Sequence, residues 1–154
     1  VGAQYLTNAM GIDNPQVEGP SVDAFNTSWE EQYGEPPTGP GLHTMYDAAA
    51  VGLLAAQAAG EYDGTAIRDA VREITGPGGE VIHPGAEGFA RAREVLADGG
   101  DISYVGATGP IVFDEYGDVT GPYLIWGVGE DGGLTEVDTW SVEDVNALMA
   151  SAGD

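Results

Sequence analysis

Asp114, Glu115 and Asp118 crowd one short turn inside GPIVFDEYGDVTGPYLIWGV, residues 109–128. Three acids that close together are what a calcium loop would use. An EF-hand loop takes oxygen ligands at alternate positions, a glycine at the sixth and a glutamate at the twelfth. Counted from Asp114, the glycine falls fourth and position twelve is Ile125, so the spacing favours a hairpin turn with solvated acids. His43 and Asp47 stand four residues apart, the spacing that puts two side chains on one helix face to share a proton or a metal. Two ligands alone make a weak metal site, and the other histidine, His83, lies in a glycine-proline loop. Glu30 and Glu31 are adjacent, so on a helix they point apart and do not form an acid pair. No G-x-S-x-G elbow, P-loop or dinucleotide fingerprint occurs. Tyr123, Trp126 and Trp140 are able to stack on a ligand, but burial is the simpler fate for aromatic residues in strands. No residue pair here supports a mechanism, the metal reading is weak, and the chain is not read as an enzyme.

The surroundings of these residues are unusual in charge. Twenty-six acids face four arginines (Arg68, Arg72, Arg91, Arg93), with no lysine, for a net charge of −22 over 154 residues. Repulsion on that scale destabilises a compact state in dilute buffer, and molar salt screens it by shortening the Debye length to about 3 Å. The composition reads as adaptation to high salt in a halophilic microbe. It excludes nucleic acid, because little here would neutralise phosphates, and it excludes anionic membrane surfaces for the same reason. Leu, Ile, Val and Phe together make up 32 residues, or 21%, so the core is expected to be thin. Cysteine is absent, and no run reaches the ~18 apolar residues of a membrane helix. No signal-peptide pattern opens the chain, and its start at Val1 reads as a processed product or an excised piece.

Several elements are readable from periodicity. AQYLTNAMGI is expected to form a short helix ending near Gly11. SVDAFNTSWEEQYG places Phe25, Trp29 and Tyr33 at i, i+4, i+8, one helix face stopped by Gly34. EPPTGPG then breaks regular structure. An alanine-rich helix follows over about Leu42 to Ala59, with Gly60 as its stop. Two more run from about Thr65 to Ile74 and Ala86 to Ala97. After that the period switches: ISYVG, PIVFD, PYLIWGV and LTEVD read as strands, with DEYGD and EDGG as turns. The strand Pro110 to Asp114 is expected to pair with Tyr123 to Gly127. Ser141 and Asp144 open a final helix as a variant capping box.

In this order the segments MYDAAAVGLLAAQAAG (45–60), DGTAIRDAVREI (63–74) and GFARAREVLADGGDISYVGATGPIVFDEYGDV (88–119) resemble a known family. They look like the C-terminal portion of a type I periplasmic substrate-binding protein of the leucine/isoleucine/valine-binding sort. The most specific part is Tyr104, Gly106 and Gly109 through Phe113, Asp114, Gly117 and Asp118. FNTSWEEQYGEPP (25–37) resembles the preceding helix less specifically, and the first 20 residues match loosely. The resemblance implies an α/β fold, part of a two-lobed receptor, with helices followed by a β-hairpin. It assigns residues 1–20 to the second lobe, 21–107 to a helical part of the first lobe, 108–140 to a second-lobe β-hairpin and 141–154 to a C-terminal helix.

The same resemblance implies an extracytoplasmic receptor, periplasmic or cell-surface, with a lipid anchor as one option. It would close on a branched-chain amino acid or similar small molecule and deliver it to an ABC transporter permease. Its remaining partner would be the missing N-terminal portion of the same receptor. In this family a residue just ahead of the Tyr-Asp-Ala helix lines the cleft, which here means Leu42, His43 or Tyr46. Many members carry an aromatic residue at that point, whereas this chain has Gly41-Leu42-His43. The helix start at 42–46 also offers free N–H groups to a polar or anionic ligand group, and core packing is the competing role for Tyr46. From a different class, the carboxylate excess alone would equally suit a self-contained acidic extracellular module that binds calcium or mediates surface contacts.

Overall fold

The computed structural model describes residues 6, 8–15, 17–38 and 41–152. The chain divides into two compact units, one of residues 17–117 and one of residues 1–16 with 118–154. Residues 108–117 fall in the same unit as the helices.

In the 17–117 unit, helix α1 (Pro20–Tyr33) starts on a proline, whose fixed φ suits a first turn. It stops at Gly34, where φ is 75°. Phe25, Trp29 and Tyr33 do share a face, with ring centroids 5.8 and 4.4 Å apart along it. Helix α2 (Leu42–Ala59) ends at Gly60 with φ 67° and buries Ala50, Val51, Leu54 and Ala55. Helix α3 (Gly64–Thr75) is capped by Asp63, whose carboxylate accepts from the Thr65 and Ala66 N–H groups at 2.9 and 3.0 Å. It lays Ala70 and Ile74 into the same core.

A short strand, β2 (Glu80–Ile82), pairs in parallel with β3 (Ile102–Gly106), and helix α4 (Ala86–Ala97) makes the crossover between them. Strand β4 (Gly109–Pro110) folds back antiparallel on β3. Tyr104, Ile82 and Ile102 are each about 1% exposed at the centre of the cluster. Full burial of such side chains contributes roughly 1.5–3 kcal/mol each. The β2 strand is not visible in the sequence, because three residues show no alternation and only their long-range pairing makes them a strand.

In the other unit, β1 (Met10–Asp13), β5 (Tyr123–Val128) and β6 (Leu134–Trp140) form an antiparallel sheet in the order β1-β5-β6. Helix α5 (Val142–Ala152) follows. The capping box forms as read: the Ser141 N–H donates to Asp144 Oδ2 at 2.9 Å and the Asp144 N–H donates to Ser141 Oγ at 3.2 Å. The Ser141 hydroxyl, which donates to Asp144 Oδ2 at 2.6 Å, and after it the Ser141 N–H hold the Asp144 carboxyl below its usual range.

Two expectations are corrected here. Met10, Gly11 and Ile12 belong to β1 rather than to the end of a helix, while residues 3–5 and 7 of that reading lie outside the described residues. Gly11 faces Trp126 so closely that an added Cβ would lie 2.1 Å from the indole. Tertiary packing against the ring decides that strand.

The hairpin also differs. Pro110 to Asp114 does not pair with Tyr123 to Gly127; the partners of β5 are β1 and β6. Ile111 is buried in the helical unit's core and Phe113 packs against it, so this apolar run serves that unit. The hairpin that does form is β5–β6, closed by EDGG, where the Gly129 N–H donates to the Gly133 carbonyl at 2.9 Å. Glycines permit that close return; the DEYGD turn is instead followed by Gly121-Pro122.

Candidate functional site

In open α/β sheets, ligands bind beyond the carboxyl ends of parallel strands. Here that edge of β2 and β3 carries His83-Pro84-Gly85 and Ala107-Thr108. The first turns of α2 and the middle of α1 pack beside them. The Tyr46 hydroxyl accepts from the Gly85 N–H at 3.0 Å, tying α2 to the loop after β2. Its ring meets Phe25 edge-on at 4.7 Å and stacks on Phe89 at 6.1 Å. Phe89 in turn stacks on Tyr104 at 6.3 Å. Gly85, at φ 104°, lies against α1, where an added Cβ would come 3.2 Å from Ser28.

The three expected residues, Leu42, His43 and Tyr46, all fall on the first turns of α2 and all are half-buried. His43 rests on Phe25, with ring centroids 4.7 Å apart. Burial lowers its pKa, and the nearby Asp47 carboxylate offsets part of that. Its Nε2 is shielded from solvent without a hydrogen-bond partner, and so are Asn26 Oδ1 on α1 and His83 Nδ1 after β2. Buried polar atoms in native proteins nearly always bond to something. Tyr46 titrates above its ordinary value, chiefly because it is buried and secondarily because of Asp47, while the Gly85 bond acts the other way.

The His43–Asp47 pairing read from their spacing is not what the carboxylate does. Asp47 is 4% exposed. Its Oδ1 accepts from the Tyr104 hydroxyl at 2.9 Å and the Ala107 N–H at 2.7 Å. Its Oδ2 accepts from the Thr108 N–H at 2.8 Å and the Thr108 hydroxyl at 2.6 Å. Four donors on one carboxylate offset the cost of burying the charge. Burial and that neighbouring charge push the Tyr104 phenol far above the usual tyrosine range. Sequence reading passed over this role; the signal was there in the glycine at 106, which lets the carboxylate approach the strand.

The Asp114 turn serves the backbone: its carboxylate accepts from the Tyr116 and Gly117 N–H groups at 2.8 and 2.9 Å. Among the described residues, no group of three or more metal-ligating side chains converges. A shallow groove of about 520 Å³ lies between β6 and α5 in the other unit. It is lined by Asp138, Trp140, Asp144 and Leu148 and contains none of the expected site residues. There Asp138 accepts from Trp140 Nε1 at 2.9 Å.

The α/β architecture is part of a type I periplasmic binding fold. It is shared with the leucine-binding protein LivK of Thermotoga maritima, at a TM-score of 0.57 and 20% identity over 90% of this chain and 32% of that one. At that identity the likeness establishes the fold alone. A 75-residue stretch, 49% of the chain, is 36% identical to BasB of Halobacterium salinarum, the substrate-binding protein of a chemotactic signal transduction system. That stretch spans 18% of BasB, so the chain matches only a part of either relative's length. No protein-family model matches the sequence. No helix among the described residues is long and apolar enough to cross a membrane.

Proposed function

We propose that this chain is part of an extracytoplasmic solute-binding receptor, which takes a branched-chain amino acid or similar small molecule by lobe closure. The two units are its contributions to the two lobes, and further chain of the same receptor completes them. Leu42, His43 and Tyr46 contact the solute, and the closed form is read by an ABC transporter permease. No chemistry on the solute is required. A solute with greater affinity for the closed state shifts the open–closed balance, and a difference of a few kcal/mol is enough to move it. The acidic surface adapts the receptor to high salt.

The observation that carries the reading is the meeting of this fold with a polar, half-buried helix start. His43 and Tyr46 stand beside the carboxyl ends of β2 and β3, and His43 Nε2 is shielded but unbonded. The likeness to a leucine-binding protein and to a chemotactic substrate-binding protein supports the solute class. The test is titration calorimetry of leucine, isoleucine and valine into the complete protein at molar salt. The parent should bind at least one of them, and His43→Ala and Tyr46→Ala should each weaken binding tenfold or more. Undiminished affinity in both variants refutes the placement, and no heat from any of the three refutes the solute class.

A further inference from the structure

We propose that Asp47 is a positioning residue that pins the segment leaving β3 to the helix carrying the solute contacts. Asp47 is next in sequence to Tyr46 and four residues from His43, so its backbone moves with theirs. Its side chain reaches across to β3 and the turn after it, where Tyr104 on the strand and Ala107 and Thr108 in the turn together supply four hydrogen bonds of 2.6–2.9 Å. That turn leads through β4 and Ile111 to Gly117, where the chain leaves this unit. One buried carboxylate therefore joins the start of α2 to the stretch that ends at the crossing.

Two features argue that the join is built for this and is not a chance contact. Asp47 stands out as a charged side chain buried in this unit, and both of its oxygens are taken up by donors of β3 and the turn after it. Gly106 also opens the way for it: a Cβ there would lie 2.4 Å from Oδ2. Displacing the start of α2 thus drags residues 107–108 with it. The mechanical link stands on geometry alone, and only its meaning for solute binding rests on the receptor reading.

Hydrogen–deuterium exchange on the complete protein, without solute, tests the link. Asp47→Asn keeps the shape but turns one acceptor into a donor facing N–H groups. It should speed exchange across residues 105–117 at least about tenfold, since bonds to a charged group are stronger than neutral ones. Protection of α3 and α4 should remain as in the parent. Thr108→Val, which removes one bond of the four, should give a smaller rise confined to the same segment. Exchange that rises evenly over residues 17–117 would make Asp47 an ordinary core residue and overturn the proposal, as would no rise at all. If Asp47→Asn does not fold, Thr108→Val and Tyr104→Phe decide by the same criterion. Failure of leucine to bind counts against the receptor reading and leaves this link standing.

Discussion

Replacing Gly106 with alanine isolates the contact between strand β3 and the Asp47 carboxylate. The new Cβ would sit 2.4 Å from Oδ2 and 2.6 Å from Cγ, where ordinary contact begins at 3.4 Å. The carboxylate must therefore retreat by about 1 Å, the difference between 3.4 and 2.4 Å. Bonds now 2.6–2.9 Å long would then pass the limit for useful hydrogen bonding. Breaking a buried charge away from its partners costs about 3–5 kcal/mol, and Gly106→Ala is expected to lose roughly 3 kcal/mol. Asp47→Ala should lose a similar amount by orphaning the donors of Tyr104, Ala107 and Thr108. In the double variant the clash is gone, because the carboxylate that caused it is gone. The alanine at 106 should then be neutral, or stabilising by a few tenths of a kcal/mol through the unfolded state. Urea unfolding of the four proteins at about 1 M KCl, followed by far-ultraviolet circular dichroism, yields the cycle. A coupling of about 3 kcal/mol is the expected result. Losses that add to within about 0.5 kcal/mol would show that the two sites do not touch, and would refute the reasoning.

Net charge predicts that the unfolding midpoint rises steeply between about 0.1 and 1 M KCl, as the Debye length falls from about 10 to 3 Å; a flat midpoint removes the high-salt proposal. His43 predicts a pH effect. Its folded pKa lies below the ordinary 6.5, so the folded state binds fewer protons than the unfolded one in that window. Stability is then full above pH 6.5 and declines as pH falls toward the folded pKa. His43→Phe should flatten that slope, and an unchanged slope assigns the effect elsewhere. Gly11→Ala should disrupt β1 by driving a methyl group into the Trp126 indole; an unaltered Trp126 emission spectrum would contradict the packing. Arg91 pairs with Glu80 through two bonds of 2.7 and 2.8 Å on the surface, so Arg91→Ala should lower stability detectably only at low salt, where the pair is unscreened.

Local signals carried a good part of this fold. The glycines at 34 and 60, the period of Phe25-Trp29-Tyr33, the alanine-rich run of α2 and the Ser141/Asp144 box are all decided within a few residues. Helix periodicity and capping act over one or two turns, so their outcome is written where the residues stand. The placement of Leu42, His43 and Tyr46 at a helix start was legible for the same reason. Strand partners were not: β5 finds β1 more than a hundred residues away, and β2 exists only because β3 lies beside it. Pairing of that kind depends on which apolar faces are covered by what, and Ile111 is buried in the helical core instead of serving β5. Asp47 shows the same division. Its four-residue spacing from His43 offered a partner on its own helix, and the tertiary structure gave it to Tyr104, Ala107 and Thr108 instead, because a buried carboxylate goes where the most donors converge.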